Sequence, residues 1–117
     1  LAVFIGGGLG SLLRFAISLW LGKSPQGFPW GTFVANLLAC IILAVGFYYF
    51  QKNAQLASHW KLFLLTGFCG GFSTFSTFSL ENFHLIQQGQ WITAFIYTAL
   101  SLLACLAAIG IVMKSMQ

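Results

Sequence analysis

The residues best suited to bind small ions lie in the segment GGFSTFSTFSLEN, which runs from Gly70 to Asn82. Phenylalanine and serine each recur there at every third residue, with threonines between them. On a helix this spacing forms a stripe of aromatic rings beside a stripe of hydroxyl groups. Hydroxyls donate hydrogen bonds, and ring edges carry positive partial charge. The two stripes therefore suit either the replacement of water around a small anion or ordinary core packing, and spacing alone favours packing.

Two adjacent glycines, Gly70 and Gly71, precede these stripes. They suit either a close crossing between two helices or a break in the helix. A break exposes backbone carbonyls, which transporters use to hold cations, and it is tolerated only inside protein or beside a cavity. The apolar segment Lys61–Ile86 would be about 39 Å long as a straight helix, against a hydrocarbon core of about 30 Å. A helix of this length must tilt, protrude or break, and its middle falls at Ser73 and Thr74. Of the break and the close crossing, the sequence favours the break.

Further polar residues lie inside apolar segments. Arg14 is interpreted either as a fastener that bonds backbone carbonyls or as a vestibule charge that attracts anions. Asn36 is either an interhelical hydrogen-bonding residue or a functional one. Tyr97 and Ser101 are four residues apart and add a hydroxyl face to the last segment. Glu81 is the only acid of the chain and hence the only possible ion partner of Arg14.

The composition identifies lipid as the solvent of the elements that carry these residues. Of the 117 residues, 59% are hydrophobic and 5% are charged, with a mean hydropathy of +0.91. Ordinary soluble domains contain about 25% charged residues. The sequence predicts one all-α domain, residues 1–117, with four transmembrane helices, because each of four apolar runs approaches the length that crosses a bilayer. These runs are Ala2–Leu21, Thr32–Phe50, Lys61–Ile86 and Ile92–Met113.

The basic residues do not form the patch that nucleic-acid binding requires. Lys52, Lys61 and Lys114 fall on one predicted side of the membrane, and Lys23 falls on the other. This bias favours a cytoplasmic side for the loop that ends at Lys61. It is nevertheless weak, as is typical of a chain that inserts in both orientations.

The sequence does not predict an enzyme. Glu81 alone offers no second carboxylate for paired acid catalysis within one subunit. His59 and His84 are far apart, and neither has a nearby Asp or Cys in the sequence. The three cysteines lie inside predicted spans and are interpreted as small core residues; they are Cys40, Cys69 and Cys105.

The chain resembles the fluoride channels of the Fluc (CrcB) type over essentially its whole length. The resemblance rests on GGGLGSLLRF (Gly6–Phe15), GTFVAN (Gly31–Asn36) and TGFCGGFSTFSTFSLE (Thr66–Glu81). It implies a fluoride-selective channel in the bacterial inner membrane that exports fluoride passively and protects against its toxicity. It also implies an antiparallel, dual-topology homodimer whose third helix is broken near the midplane.

The same resemblance implies a role for each site residue. A structural sodium ion at the dimer centre is held by the backbone carbonyls of Gly70 and Ser73 of each subunit. Arg14 lies near the aqueous vestibule, and Glu81 is a polar support for the pathway. The residues implied along the fluoride pathway are Asn36, Phe75, Thr77, Phe78, Tyr97 and Ser101.

The chain departs from the family pattern at two positions. Ser73 stands where relatives carry threonine, a change that a backbone ligand tolerates. Cys105 stands one turn after Ser101, where some relatives have another hydroxyl, so the far end of the polar track is in doubt.

Two other functions compete with the channel. A small four-helix multidrug exporter couples efflux to protons through an acid in its first helix, whereas this first helix carries Arg14 and no acid. Glu81 is the only substitute, near the end of the third span. A non-transporting subunit of a membrane complex would explain glycines and phenylalanines, but not a broken helix with hydroxyls.

Overall fold

Four helical segments, each long and apolar enough to cross a membrane, make up the computed structural model of the protein. The structure describes residues 1–22, 27–56 and 58–117. Lys23, which entered the charge comparison, lies outside these ranges. Within these ranges the prediction of four helices able to span a membrane is confirmed, and the ends of the second, third and fourth differ from the predicted ones by a few residues. The candidate spans are Ala2–Leu21, Trp30–Lys52, Ser58–Gln87 and Trp91–Ser115.

The first, second and fourth spans are continuous helices, whereas the third span is divided into two helices. Helix α1 is Ala2–Leu21, α2 is Trp30–Lys52 and α5 is Trp91–Ser115. In the divided span, α3 (residues 58–72) precedes α4 (Phe75–Gln87). Helix α3 contains a π-helical stretch, Leu62–Cys69, in which each turn is wider than in an α-helix.

The break in the third span lies at its centre. Ser73 has φ −90° and ψ 155°, and Thr74 has φ −152° and ψ 119°, so both residues are extended. Helical backbone continues through Gly70 and Gly71 and ends at Phe72. The predicted break is therefore confirmed, and it begins just after the glycine pair.

The glycines also make the close helix crossing that the sequence left as the alternative. A Cβ atom added at Gly71 would overlap the carbonyl oxygen of Gly7, and one added at Gly10 would overlap the carbonyl oxygen of Phe68. Helices α1 and α3 thus touch through their backbones. At Gly70 an added Cβ would meet no atom of the described residues within 4 Å, so Gly71, and not Gly70, belongs to the crossing.

The core is small because lipid, not protein, would cover most apolar side chains. Tyr97 and Phe72 are the largest buried residues, at 0% and 1% exposure. Tyr97 belongs to a cluster with Phe33 and Leu85 that joins α2, α4 and α5, and Phe72 packs with Ala35 of α2. The two halves of the broken span are therefore anchored in different clusters.

Replacing Gly10 by alanine is expected to destabilise the protein. The added methyl group would meet backbone, which cannot rotate away, so α1 and α3 must separate. Overpacking of this kind costs about 1–3 kcal/mol. We expect a lower Tm in detergent for Gly10→Ala. Gly8→Ala, on the same helix with no atom of the described residues within 4 Å of its added Cβ, is the control and should not lower the Tm, because alanine favours a helix more than glycine does. Equal Tm values for both variants would contradict the crossing.

Candidate functional site

Asn36 of α2 compensates for the helical hydrogen bonds that the break removes. The Thr74 N–H donates to Oδ1 of Asn36 at 2.8 Å. The Asn36 Nδ2 donates back to the Thr74 carbonyl at 3.5 Å, a longer and weaker bond. One carboxamide side chain therefore serves both backbone groups of an extended residue, and the open backbone is tolerated inside an apolar environment.

The hydroxyl-rich sequence after the break starts the next helix. Thr74 is the N-cap of α4, because its Oγ1 accepts a hydrogen bond from the Thr77 N–H at 3.2 Å. Threonine is among the residues preferred at this position. The Thr74 hydroxyl also donates to the Thr77 hydroxyl at 3.3 Å and lies 3.2 Å from that of Ser76. Part of the repeated hydroxyl pattern therefore has a structural role as a cap.

In these hydrogen bonds, two backbone amides donate to side chains instead of to the carbonyls that they would bind in a continuous helix. In a continuous α-helix the Gly70 carbonyl accepts from the Thr74 N–H, and the Ser73 carbonyl accepts from the Thr77 N–H. Here the first amide bonds Asn36 and the second bonds Thr74 Oγ1. The two diverted amides are the helical partners of the Gly70 and Ser73 carbonyls, which the family resemblance implies as cation ligands.

Neighbouring groups at the break have partners of their own. The Ser73 hydroxyl donates to the Cys69 carbonyl at 2.9 Å, within its own helix. The Gly71 carbonyl accepts from Nε of Arg14 at 3.0 Å. Arg14 therefore bonds a backbone carbonyl across the α1–α3 crossing, as the fastener interpretation predicted. Its vestibule role stays a prediction.

A cavity of about 220 Å³ adjoins the break. Four residues of the predicted fluoride pathway, from three helices, line this cavity. Ser73, whose carbonyl is a predicted cation ligand, lines it as well. The Ser101 hydroxyl is buried and has no hydrogen-bond partner among the described residues. The lining residues are Asn36, Cys40, Ser73, Thr74, Phe75, Phe78, Ser101, Leu102 and Cys105.

Two predicted pathway residues lie behind the cavity wall. Thr77 is half-buried, and its hydroxyl accepts from Thr74. Tyr97 is fully buried, with its ring centroid 4.9 Å from that of Phe78. Phe78 in turn lies 5.7 Å from Phe75, which is 76% exposed. The aromatic groups thus form a row that leads from the core to the surface.

Glu81 links α4 to α2 and α5 through hydrogen bonds. Its two carboxylate oxygens accept from Thr32 Oγ1 at 3.0 Å and from the Tyr97 hydroxyl at 2.9 Å. Hydrogen bonds to a carboxylate are stronger than those between neutral groups. Glu81 therefore fixes the orientation of Tyr97, the residue against which Phe78 packs.

One polar pair near the site was not predicted. Nδ2 of Asn82 donates to the Phe78 carbonyl at 3.1 Å, and Thr98 Oγ1 donates to Asn82 Oδ1 at 3.2 Å. Both side chains line a second cavity of about 540 Å³ on the far side of Phe78. The signal available in the sequence was an asparagine four residues after Phe78, which is the spacing of one helical turn.

The fold and the site define a multi-pass membrane protein with a broken helix beside a small cavity lined by neutral polar groups. The family described as CrcB-like protein, Camphor Resistance (CrcB), matches residues 1–113. The chain belongs to this family, and the resemblance drawn from its motifs is confirmed.

Several curated relatives carry the name fluoride-specific ion channel FluC. The relative from Flavobacterium psychrophilum is 43% identical over 107 residues, which cover 91% of this chain and 86% of that protein. The one from Azobacteroides pseudotrichonymphae is 46% identical over 108 residues, covering 92% and 86%. The one from Salmonella arizonae is 43% identical over 107 residues, covering 92% and 84%. These names denote channels, and the prediction that the chain is not an enzyme is confirmed.

Replacing Asn36 by leucine is expected to destabilise the break, because the Thr74 N–H and carbonyl lose their side-chain partner. An unsatisfied buried polar group costs about 1–3 kcal/mol. We expect a lower Tm and faster amide hydrogen exchange in peptides that span residues 72–78. The control is Asn53→Ala, which removes an exposed asparagine bond to the Tyr49 carbonyl. Wild-type exchange at the break in Asn36→Leu would show that Asn36 does not hold it.

Proposed function

We propose that the protein is a fluoride-selective channel that lets fluoride leave a bacterial cell passively. The observation that carries this proposal is the cavity beside the break, in which an amide, two aromatic side chains and a hydroxyl with no partner among the described residues meet. Membership of the CrcB family and the names of the relatives support it.

The proposed mechanism replaces the water of a strongly hydrated anion with several weak donors. Nδ2 of Asn36 carries two N–H groups, and one of them makes a long bond of 3.5 Å to the Thr74 carbonyl. The other can donate to a passing fluoride while Asn36 keeps its place at the break. The Ser101 hydroxyl offers a second donor, and the edges of Phe75 and Phe78 offer positive partial charge. None of these groups carries a full charge. Fluoride can therefore enter each position and still leave it, which conduction requires.

The support for the rings lies in the layer behind them. Phe78 packs on Tyr97, whose hydroxyl donates to Glu81. A second donor, Thr32, holds the other carboxylate oxygen. Both carboxylate oxygens of Glu81 thus accept hydrogen bonds from protein hydroxyls. These donors partly compensate its negative charge, and the carboxylate does not face the proposed path of the anion. We assign Glu81 the role of polar support on this basis.

The functional unit in this proposal is an antiparallel homodimer with dual topology in the inner membrane. Gly70, Phe75 and Ser76 are exposed although they lie at the centre of the span. Large aromatic residues beside exposed polar groups at this depth suit a protein interface better than lipid. A second copy of the chain would cover them.

A sodium ion fits the centre of such a dimer. The carbonyls of Gly70 and Ser73 are those whose helical amides are diverted, and an added atom at Gly70 meets nothing within 4 Å. Carbonyl oxygens are suitable ligands for a small hard cation. When bound, sodium would supply positive charge that offsets the energy of an anion in a low dielectric.

Passive export protects the cell because HF crosses membranes as a neutral molecule. In acidic surroundings HF enters, and the higher internal pH releases fluoride, which is then trapped. A selective leak lets this fluoride flow outward down its gradient. The proposed channel therefore needs no coupled energy source.

The multidrug exporter is not favoured by the site. That mechanism needs a proton-binding acid in the first helix, where this chain has Arg14 bonded to the Gly71 carbonyl. Glu81 lies on α4 and is held by two hydroxyl groups.

The direct test is efflux from liposomes that contain the purified protein, measured with fluoride and chloride electrodes in parallel. We expect fast fluoride release without chloride release. Absence of fluoride release from folded protein would overturn the proposal, and equal release of both ions would overturn the selectivity.

Replacing Phe75 or Phe78 by isoleucine is expected to lower fluoride flux. An aromatic-edge contact contributes about 0.5–1.5 kcal/mol, and about 1.4 kcal/mol in a barrier changes a rate roughly tenfold. Phe4→Ile, at an 80% exposed position on α1, is the control and should conduct like the wild type. Wild-type flux in both pathway variants would contradict the role of the ring edges.

Replacing Ser73 by alanine is expected to leave sodium binding unchanged, because the Ser73 hydroxyl donates to Cys69 and the proposed ligand is the backbone carbonyl. A ligand that binds the folded state raises Tm. We expect Tm to rise with sodium, relative to choline, equally in wild type and Ser73→Ala. Loss of the rise in the variant alone would assign the ligand to the hydroxyl. Its absence in the wild type would contradict the sodium site.

A further inference from the structure

Two cysteines line the same cavity as the proposed fluoride donors. Cys40 is four residues after Asn36 on α2, and Cys105 is four residues after Ser101 on α5. Residues four apart lie on one face of a helix, one turn from each other. The cavity therefore has an amide–hydroxyl layer from Asn36 and Ser101, and next to it a layer of two thiols.

The two thiols are neighbours across the α2–α5 contact. Both side chains line the same cavity where α2 packs against α5, and both are free thiols that are only partly buried. The third cysteine, Cys69, is buried on α3 and lines a different cavity, which it shares with Cys40. Cys69 therefore serves as the control position for experiments on the Cys40–Cys105 pair.

The ligand that suits this pair is set by coordination number and charge. Among the described residues no group of three or more His, Cys, Asp or Glu side chains is placed to hold a metal ion. Zinc, which takes four ligands, is therefore unsuited, whereas a soft ion that accepts linear coordination by two sulfur atoms is suited. A complex inside a membrane span should also carry no net charge. Hg²⁺ with two thiolates meets both conditions.

We propose that Cys40 and Cys105 form a two-sulfur site for the soft divalent cation Hg²⁺, and that occupancy of this site obstructs the cavity. Each thiol loses its proton, each sulfur forms one bond to Hg²⁺, and two protons are released to water, without any change of oxidation state. The bound ion links α2 to α5 beside Asn36 and Ser101. The binding site rests on the placement of both cysteines in the lining of one cavity, whereas the block of ion flux rests on the proposed function.

The binding test uses the purified full chain in detergent, titrated with HgCl₂ while sulfur-to-mercury charge-transfer absorbance and proton release are recorded. We expect one tight Hg²⁺ with two protons released for wild type and for Cys69→Ser. For Cys40→Ser and Cys105→Ser we expect binding roughly 100-fold weaker, the lower end of the gain from a second linked ligand. Either variant suffices if the other does not fold. Unchanged affinity in a folded Cys40→Ser or Cys105→Ser variant, or a loss of the tight site in folded Cys69→Ser, would overturn the site.

The flux test adds HgCl₂ to liposomes that contain each variant. We expect HgCl₂ to block the fluoride efflux of the wild type and of Cys69→Ser and excess dithiothreitol to restore it, whereas the efflux of Cys105→Ser should be the same with and without HgCl₂. Equal block of Cys105→Ser would overturn the obstruction. If the wild type conducts no fluoride, the proposed function fails, but the titration still decides the site.

Discussion

The hydrogen bonds between Asn36 and Thr74 are the interactions on which the site depends. A chain in lipid must satisfy its backbone groups internally, so a helix can open at mid-span only where a side chain replaces the lost partners. Asn36 supplies an acceptor to the Thr74 N–H and a donor to its carbonyl. Its carboxamide also faces the cavity. The residue that stabilises the open backbone is thus the residue that we propose to meet the anion, so fold and function share one side chain.

The two halves of the broken span are held by different kinds of contact. Helix α3 lies against α1 with glycines at the contact, and Arg14 adds a bond to the Gly71 carbonyl. Helix α4 is held by side chains, because Glu81 binds Tyr97 and Asn82 binds Thr98 of α5. The backbone contact between α1 and α3 leaves little room for the two helices to shift, whereas the side-chain contacts of α4 orient the rings of Tyr97 and Phe78. This division leaves the break itself fixed from both sides.

Neutral donors dominate the cavity because the charged groups near it are engaged elsewhere. Glu81 has hydroxyl donors on both carboxylate oxygens, and Arg14 donates to a carbonyl. A full positive charge in the path would hold a small anion too tightly for conduction, and a full negative charge would exclude it. The thiols of Cys40 and Cys105 extend the neutral lining with weaker donors. The proposed channel and the proposed mercury site therefore depend on the same property of one cavity.

The sequence by itself determined the four spans and the family, because these follow from hydropathy and from motifs confined to single helices, and it favoured a break in the third span over a close crossing. It placed the middle of the third span at Ser73 and Thr74. The family resemblance implied Gly70 and Ser73 as cation ligands, which stays a prediction. The sequence left open whether Asn36 and Arg14 were structural, and it did not predict the Asn82–Thr98 pair. Only the tertiary structure decided these, since Asn36 and Thr74 are 38 residues apart and Arg14 and Gly71 are 57 apart. Such pairs form only after helix crossings set which faces meet, and composition and spacing within one helix do not specify that geometry.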